Sequence, residues 1–132
     1  MHTIQVQTDR REQLVDITAR VEEVLVDAGV DEGACVLWSE HTTAALTVNE
    51  SADPDVARDI ETWLAEHAPE GGGYRHREGN ADAHIKTSLV GPGLTLIVSD
   101  GRLVLGRWQG VFLCEFDGPR SRRVRVQVLP PP

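Results

Sequence analysis

LTLIVSDGRLVLGRWQGVFLCEFDGPRSRRVRVQVL, residues 94–129, breaks at each turn signal into short apolar runs. Leu94 to Val98 leads to the turn Ser99-Asp100-Gly101, then to Leu103 to Leu105. Val111 to Phe116 leads to Asp117-Gly118-Pro119, then to Arg123 to Leu129. Runs of strand length separated by Asp-Gly turns predict a meander of antiparallel hairpins.

Upstream of the meander, Gly91 and Pro92 close a segment for which Asn80 or Asp82 is a candidate helix cap, with a strand as the competing reading. Glu70 to Asn80 carries Gly71-Gly72-Gly73 and reads as a loop. Asp53-Pro54 places a cap before a proline at the first helical position. Val56, Ala57, Ile60, Trp63 and Leu64 then continue one face. Ala34 to Ser39 and Thr42 to Val48 have strand composition, and Thr3 to Gln7 alternates with period two. Asp9 and Glu12 have capping-box spacing, which predicts a helix from near Arg10 with Leu14, Ile17, Val21, Val24, Leu25 and Ala28 on one face and Gly29 as its stop. Two or three helices and about six or seven strands predict one α+β domain over residues 1–132, mostly antiparallel, with its helices packed against the sheet.

The chain has 132 residues, 40% hydrophobic and 26% charged, which suits a globular domain. Its net charge of -8 repels phosphodiester backbones and argues against nucleic acid as a partner. Arg120, Arg122, Arg123 and Arg125 form a local basic run, but alternation with Val124 and Val126 reads as the solvated edge or face of a strand. Met1 to Arg10 lacks the apolar core of a signal peptide, and no run approaches the roughly 18 apolar residues of a membrane span. The cytoplasm is the expected compartment, with no membrane partner. Cys35 and Cys114 each sit in an apolar run and read as buried structural thiols.

Five histidines are present. His2 and His67 read as solvated. His41 ends an apolar strand, while His76 and His84 flank a turn-rich segment containing Gly79 and Asn80 that can double back. Three imidazoles with an open fourth position form a catalytic zinc geometry, and imidazole also suits other transition metals. From spacing alone, metal ligation and ordinary hydrogen-bonded loop histidines both stand. Asp82 or Glu50 could hold a ligating imidazole's second N–H or act as general base beside a metal-bound water. Lys86, Arg102, Arg107 and Arg120 are candidate phosphate partners, against the plain reading of surface charge. Trp108 could wall a pocket, though a core or interface position is the simpler reading. No nucleophile elbow and no glycine-rich phosphate fingerprint occurs.

Several motifs occur together in one order: Glu40-His41-Thr42-Thr43-Ala44-Ala45-Leu46-Thr47-Val48-Asn49-Glu50, His76 to His84 around Glu78-Gly79-Asn80, Gly101-Arg102-Leu103, Trp108-Gln109-Gly110, and Glu115-Phe116-Asp117-Gly118-Pro119-Arg120. Over nearly its whole length the chain resembles the YjbQ-like family, whose members are described as secondary thiamine-phosphate synthase enzymes. The resemblance implies a compact α+β homotrimer. It also implies a divalent metal, zinc foremost, held by His41, His76 and His84 near a subunit interface. Thiamine-phosphate synthesis joins a pyrimidine pyrophosphate to a thiazole phosphate and expels pyrophosphate, so it needs cations around a departing diphosphate.

The function expected is a metal-dependent enzyme acting on a small phosphorylated molecule. Asp82, Glu50 and Lys86 are its expected catalytic residues, and Arg102, Arg120 and Asn80 its expected substrate contacts. The alternative is a non-enzymatic metal-binding trimer that serves as scaffold, sensor or small-molecule binder.

Overall fold

The computed structural model describes residues 1–132. In chain order its elements are β1 (His2–Gln7), β2 (Gln13–Asp16), α1 (Thr18–Ala28), β3 (Gly33–Ser39), β4 (Ala44–Glu50), α2 (Pro54–His67), α3 (Ala81–Val90), β5 (Gly93–Ser99), β6 (Arg102–Leu103), β7 (Gln109–Glu115) and β8 (Ser121–Leu129). Every strand pairing is antiparallel. The expected α+β class holds.

The strands do not stay in one meander. They form a five-stranded sheet, β1-β8-β3-β5-β6, and a three-stranded sheet, β2-β7-β4. Burial accounts for the split. In β7 every residue from Gly110 to Glu115 is buried, so the strand needs cover on both faces and a partner on each edge. In β8 buried and open positions alternate, so one face can stay uncovered. The two turns flanking β7 therefore carry the chain out of one sheet and back.

Between the sheets lies the main core, where Leu37, Val124 and Val126 meet Leu46, Val111 and Leu113, with Val21 and Leu25 of α1. On the far side of the smaller sheet, Ala45, Phe112 and Cys114 pack with Phe116, Leu64 of α2 and Ala83 of α3. The layers run from five-stranded sheet to three-stranded sheet to α2 and α3. Both cysteines are free and buried, and desolvation pushes the Cys35 thiol up to about 11 and the Cys114 thiol up to about 12.

The first helix starts later than the capping-box spacing predicts. Residues 9–12 form a loop in which the Asp9 amide donates to Gln13 Oε1 at 2.8 Å. Gln13–Asp16 is needed to complete the edge of β7, so tertiary pairing overrides the local helical pattern. Thr18 then opens α1, with Asp16 Oδ1 accepting from its backbone N–H at 2.9 Å and its hydroxyl at 2.6 Å. Leu14 packs as a strand residue against the second cluster rather than on α1. Gly29 ends the helix with φ 65°, as its position predicts. Asp53 caps α2 through a bond from the Asp55 amide at 2.9 Å. Residues 81–90 are helical, which resolves the helix-or-strand ambiguity there.

Arg122 corrects the reading of the basic run as solvated. It is 2% exposed, on the inward side of β8 with Val124 and Val126. Its Nε donates to Glu115 Oε1 at 2.8 Å, and its Nη2 reaches Glu115 and, at 2.8 Å, Thr43 Oγ1. Thr8 Oγ1 adds a bond to Glu115 Oε1 at 2.8 Å. Burial alone would raise the Glu115 pKa, but hydrogen bonds from Arg122, the Asp117 amide and Thr8 outweigh it and hold the carboxyl below its ordinary value.

A carboxyl depressed in the folded state contributes stability above its unfolded pKa, about 4.3, and loses it as pH falls through the folded value. The free energy of urea unfolding should therefore fall as pH drops below about 4. Glu115→Gln should flatten that acid limb. At pH 7 it should cost about 3–5 kcal/mol by leaving Arg122 buried without its counter-charge.

Candidate functional site

Three histidines lie toward one end of the domain. His41 lies in the connection between β3 and β4, His76 in the glycine-rich loop after α2, and His84 on α3. The rings of His76 and His84 meet edge to face, 5.3 Å between centroids and 86° between planes. His84 and His41 line one cavity of about 440 Å³, together with Trp38, Thr42, Thr87 and Ser88. On its other side His84 lines a second cavity, of about 510 Å³, with His76, Tyr74, Arg75, Ala81 and Ile85. His84 is thus the junction of the two spaces.

His41 is held from behind. The backbone N–H of Arg123 donates to its Nε2 at 3.0 Å, which fixes the neutral tautomer with the proton on Nδ1. Desolvation, reinforced by the positive charge of Arg122, lowers its pKa and favours that neutral form. The imidazole donors suit zinc chemically, but a ligand must offer a free lone pair. In this arrangement His41 has none, and no group of three histidine, cysteine or carboxylate side chains is placed to hold a metal ion. The expected three-histidine centre therefore does not close within one chain as it stands. What the chain brings together is the His76–His84 pair, with His41 across a cavity.

Asp82 and Lys86 lie close in sequence to His84 but face elsewhere. Both side chains are 0% exposed. Arg11 donates to both Asp82 oxygens at 3.0 Å, and Lys86 Nζ donates to Asp82 Oδ2 at 2.6 Å and also to Glu12. Burial alone would raise the Asp82 pKa, but the bonds from Arg11 and Lys86 outweigh it and lower the net value. Such a carboxylate is a weak base with its lone pairs occupied. This geometry gives the Asp82–Lys86 face of α3 the job of docking the helix onto residues 11 and 12, and it leaves neither group free to meet a substrate.

The remaining expected residues scatter. Asn80 Nδ2 donates to Asp117 Oδ2 at 2.9 Å, and Arg120 reaches the same oxygen at 3.1 Å, so these two share one partner at the β7–β8 turn. Asn80 Oδ1 is buried without a partner. Arg102 pairs with Ser99, whereas the opposite end of β5, at Gly93, pairs with Trp38 beside the histidines. Six residues of strand put Arg102 about 20 Å from them. Glu50 lies at the end of β4 away from His41, where its Oε2 accepts from the amides of Ala52 and Asp53 at 2.7 and 2.8 Å. It shapes the approach to α2 and does not meet the histidines within this chain. Arg107 stacks on Trp108 at 4.8 Å, and Trp108 is 53% exposed, outside the core.

Sequence reasoning missed Arg11 and Glu12 as partners of α3, and Trp38 and Arg75 as cavity walls. The one available signal was Asp82 and Lys86, four residues apart, the spacing of a helical ion pair.

An antiparallel two-sheet α+β domain with a histidine-lined end is the class that fold and site define. A family model for UPF0047 protein YjbQ-like proteins matches residues 2–131, and the chain belongs to that family. It is 46% identical over 125 residues to the UPF0047 protein MJ1081 of Methanocaldococcus jannaschii, covering 95% of this chain and 91% of the relative. Identity to the UPF0047 protein YugU of Bacillus subtilis is 43% over 134 residues, covering 98% of each. A crystal structure of an uncharacterized YjbQ/UPF0047 protein from Clostridium acetobutylicum superposes with TM-score 0.96 at 44% identity, covering 98% of this chain and 100% of that one. The structure of TT1486 from Thermus thermophilus gives TM-score 0.91 at 48% identity, covering 98% and 100%. None of these names states an activity, so membership fixes fold and family and leaves thiamine-phosphate synthesis without support from relatives.

The docking role of Lys86 is directly measurable. Lys86→Met should lower the free energy of urea unfolding by about 3–5 kcal/mol, because Asp82 and Glu12 lose a buried counter-charge.

Proposed function

We propose that the chain is a metal-dependent enzyme acting on a small phosphorylated molecule, with its active site at the histidine end. The observation that carries this reading is the position of His84, in ring contact with His76 and facing a cavity shared with His41. A divalent ion, zinc in the first instance, would be held by His76, His84 and His41. The metal supplies positive charge for a phosphoryl oxygen. The chain's own residues shape the pocket, with Trp38 as an aromatic wall. Thiamine-phosphate synthesis is the first reaction to assay, and its support is the motif resemblance alone.

A second reading, a non-enzymatic metal-binding trimer, draws on a separate observation. Glu40, the one carboxylate lining the His41 cavity, is paired with Arg125, and none lines the other cavity. Neither space therefore offers a free carboxylate as general base.

Both readings share a homotrimer. The outer face of the five-stranded sheet has no covering layer, and Trp38, Ile97 and Leu129 there are 50%, 65% and 45% exposed. Trp38 and Glu40 belong both to this face and to the His41 cavity, so a second copy seated on the sheet would adjoin the site. No helix is long and apolar enough to cross a membrane.

Elemental analysis of the purified protein should find about one divalent ion per chain, and His84→Ala should lose it together with turnover of the pyrimidine and thiazole phosphates. Undiminished turnover in that variant sinks the enzymatic reading; bound metal without any turnover in the parent chain selects the second. Trp38→Arg should convert the trimer to monomers in analytical ultracentrifugation.

A further inference from the structure

The cations expected to receive phosphate pair or lie elsewhere: Lys86 is paired with Asp82 and Glu12, Arg120 with Asp117, and Arg102 sits at the far end of β5. Arg75 differs. It makes no ion pair within the chain. It is also the one arginine or lysine that lines either histidine cavity.

We propose that Arg75 is the anion anchor of the site, holding the phosphoryl group of a small substrate in the cavity between the glycine-rich loop and α3, beside His76 and His84. This deepens the active-site reading above and rests on it for the choice of substrate class. The walls of that cavity are Tyr74, Arg75, His76, Ala81, His84 and Ile85, with no carboxylate among them. Asp82, next to Ala81, turns away into its bonds with Arg11 and Lys86. Glu78, 77% exposed, lies 3.6 Å from His76 Nε2 but does not line the cavity. A protein of net charge -8 thus presents one cavity lined by a guanidinium and two imidazoles.

The loop that carries Arg75 is built rather than slack. The Tyr74 amide donates to Gly72 O at 2.8 Å, and the Tyr74 hydroxyl donates to Pro69 O at 2.8 Å. A Cβ on Gly72 would stand 2.9 Å from the Tyr74 ring, so glycine lets the ring fold back over the turn. With Tyr74 fixed, the next residue is delivered to the cavity mouth. A guanidinium offers a planar fork that matches two phosphoryl oxygens at once, and pairing with an anion there costs it no existing partner.

The test is calorimetric titration of the full chain with inorganic phosphate and with glycerol 3-phosphate, before and after loading with zinc. Both ligands should bind, and Arg75→Gln should weaken each about ten- to a hundredfold, the loss of one charge-assisted bidentate contact. Arg20→Gln, at an exposed position of α1, should leave both affinities unchanged, and Arg75→Gln should keep the parent's metal content. The proposal is overturned if Arg75→Gln binds both ligands as tightly as the parent, if neither ligand binds the parent, or if only inorganic phosphate binds. Metal loss in Arg75→Gln also overturns it, because the effect would then pass through the histidines. A parent chain that binds both ligands but no metal defeats the metal reading and leaves Arg75 as the anchor.

Discussion

Burial of β7 on both faces is the constraint from which the rest of the architecture follows. A strand so enclosed must pair on both edges, because an unpaired backbone group with no access to water costs roughly a hydrogen bond's worth of free energy. That requirement draws Gln13–Asp16 out of the helical pattern around it and into β2, and it places β4 on the other edge. It also requires two layers of cover. The five-stranded sheet and α1 supply one, α2 and α3 the other. The position of α3, and so of His84, is a consequence of how Phe112 and Cys114 are covered.

Two buried ionic clusters then set the details that apolar packing leaves loose. Glu115 at the end of β7 takes Arg122 from β8 and Thr8 from the segment after β1, which ties the two sheets together beside His41. Asp82 and Lys86 take Arg11 and Glu12, which pins α3 to the loop ahead of β2. The loop is pressed closely against the β7–β8 turn. A Cβ on Gly118 would lie 2.4 Å from Arg10 O, and the Gly118 amide donates to Arg11 O at 3.0 Å. Apolar contacts tolerate small slides and rotations, whereas a bidentate arginine with both carboxylate oxygens engaged admits one orientation. Charge pairing here acts on geometry more than on net stability, since desolvation offsets much of the Coulomb gain.

What the sequence made legible follows from this division. Elements governed by local chemistry stood out: the Asp53-Pro54 start of α2, the Gly29 stop of α1, and the Asp-Gly turns of the C-terminal half. Elements governed by long-range pairing did not. Nothing local distinguishes Leu14 on a strand from Leu14 on a helix, and the capping-box spacing of Asp9 and Glu12 pointed to a helix that pairing with β7 forbids. Arg122 looked solvated because its partner Glu115 sits in another strand, and alternation with valines is equally consistent with facing inward. At the site, histidines could be singled out by residue type and turn-rich setting. The jobs of Asp82 and Lys86 could not, because proximity to His84 in sequence says nothing about which side of a helix a residue occupies. Positions 82 and 86 share one face, while 84 lies roughly 160–200° around the helix from them.

That opposition between the two faces of α3 bears on how the site works. One face is locked by charges whose partners are all internal, and the other carries an imidazole with a cavity on either side. His76 and His41 come to that face from outside the helix, on the glycine-rich loop and the β3–β4 connection. The Arg123 amide donates to His41 Nε2. That bond occupies the lone pair of His41 Nε2, so the arrangement with His41 across a cavity from His84 is itself a satisfied state.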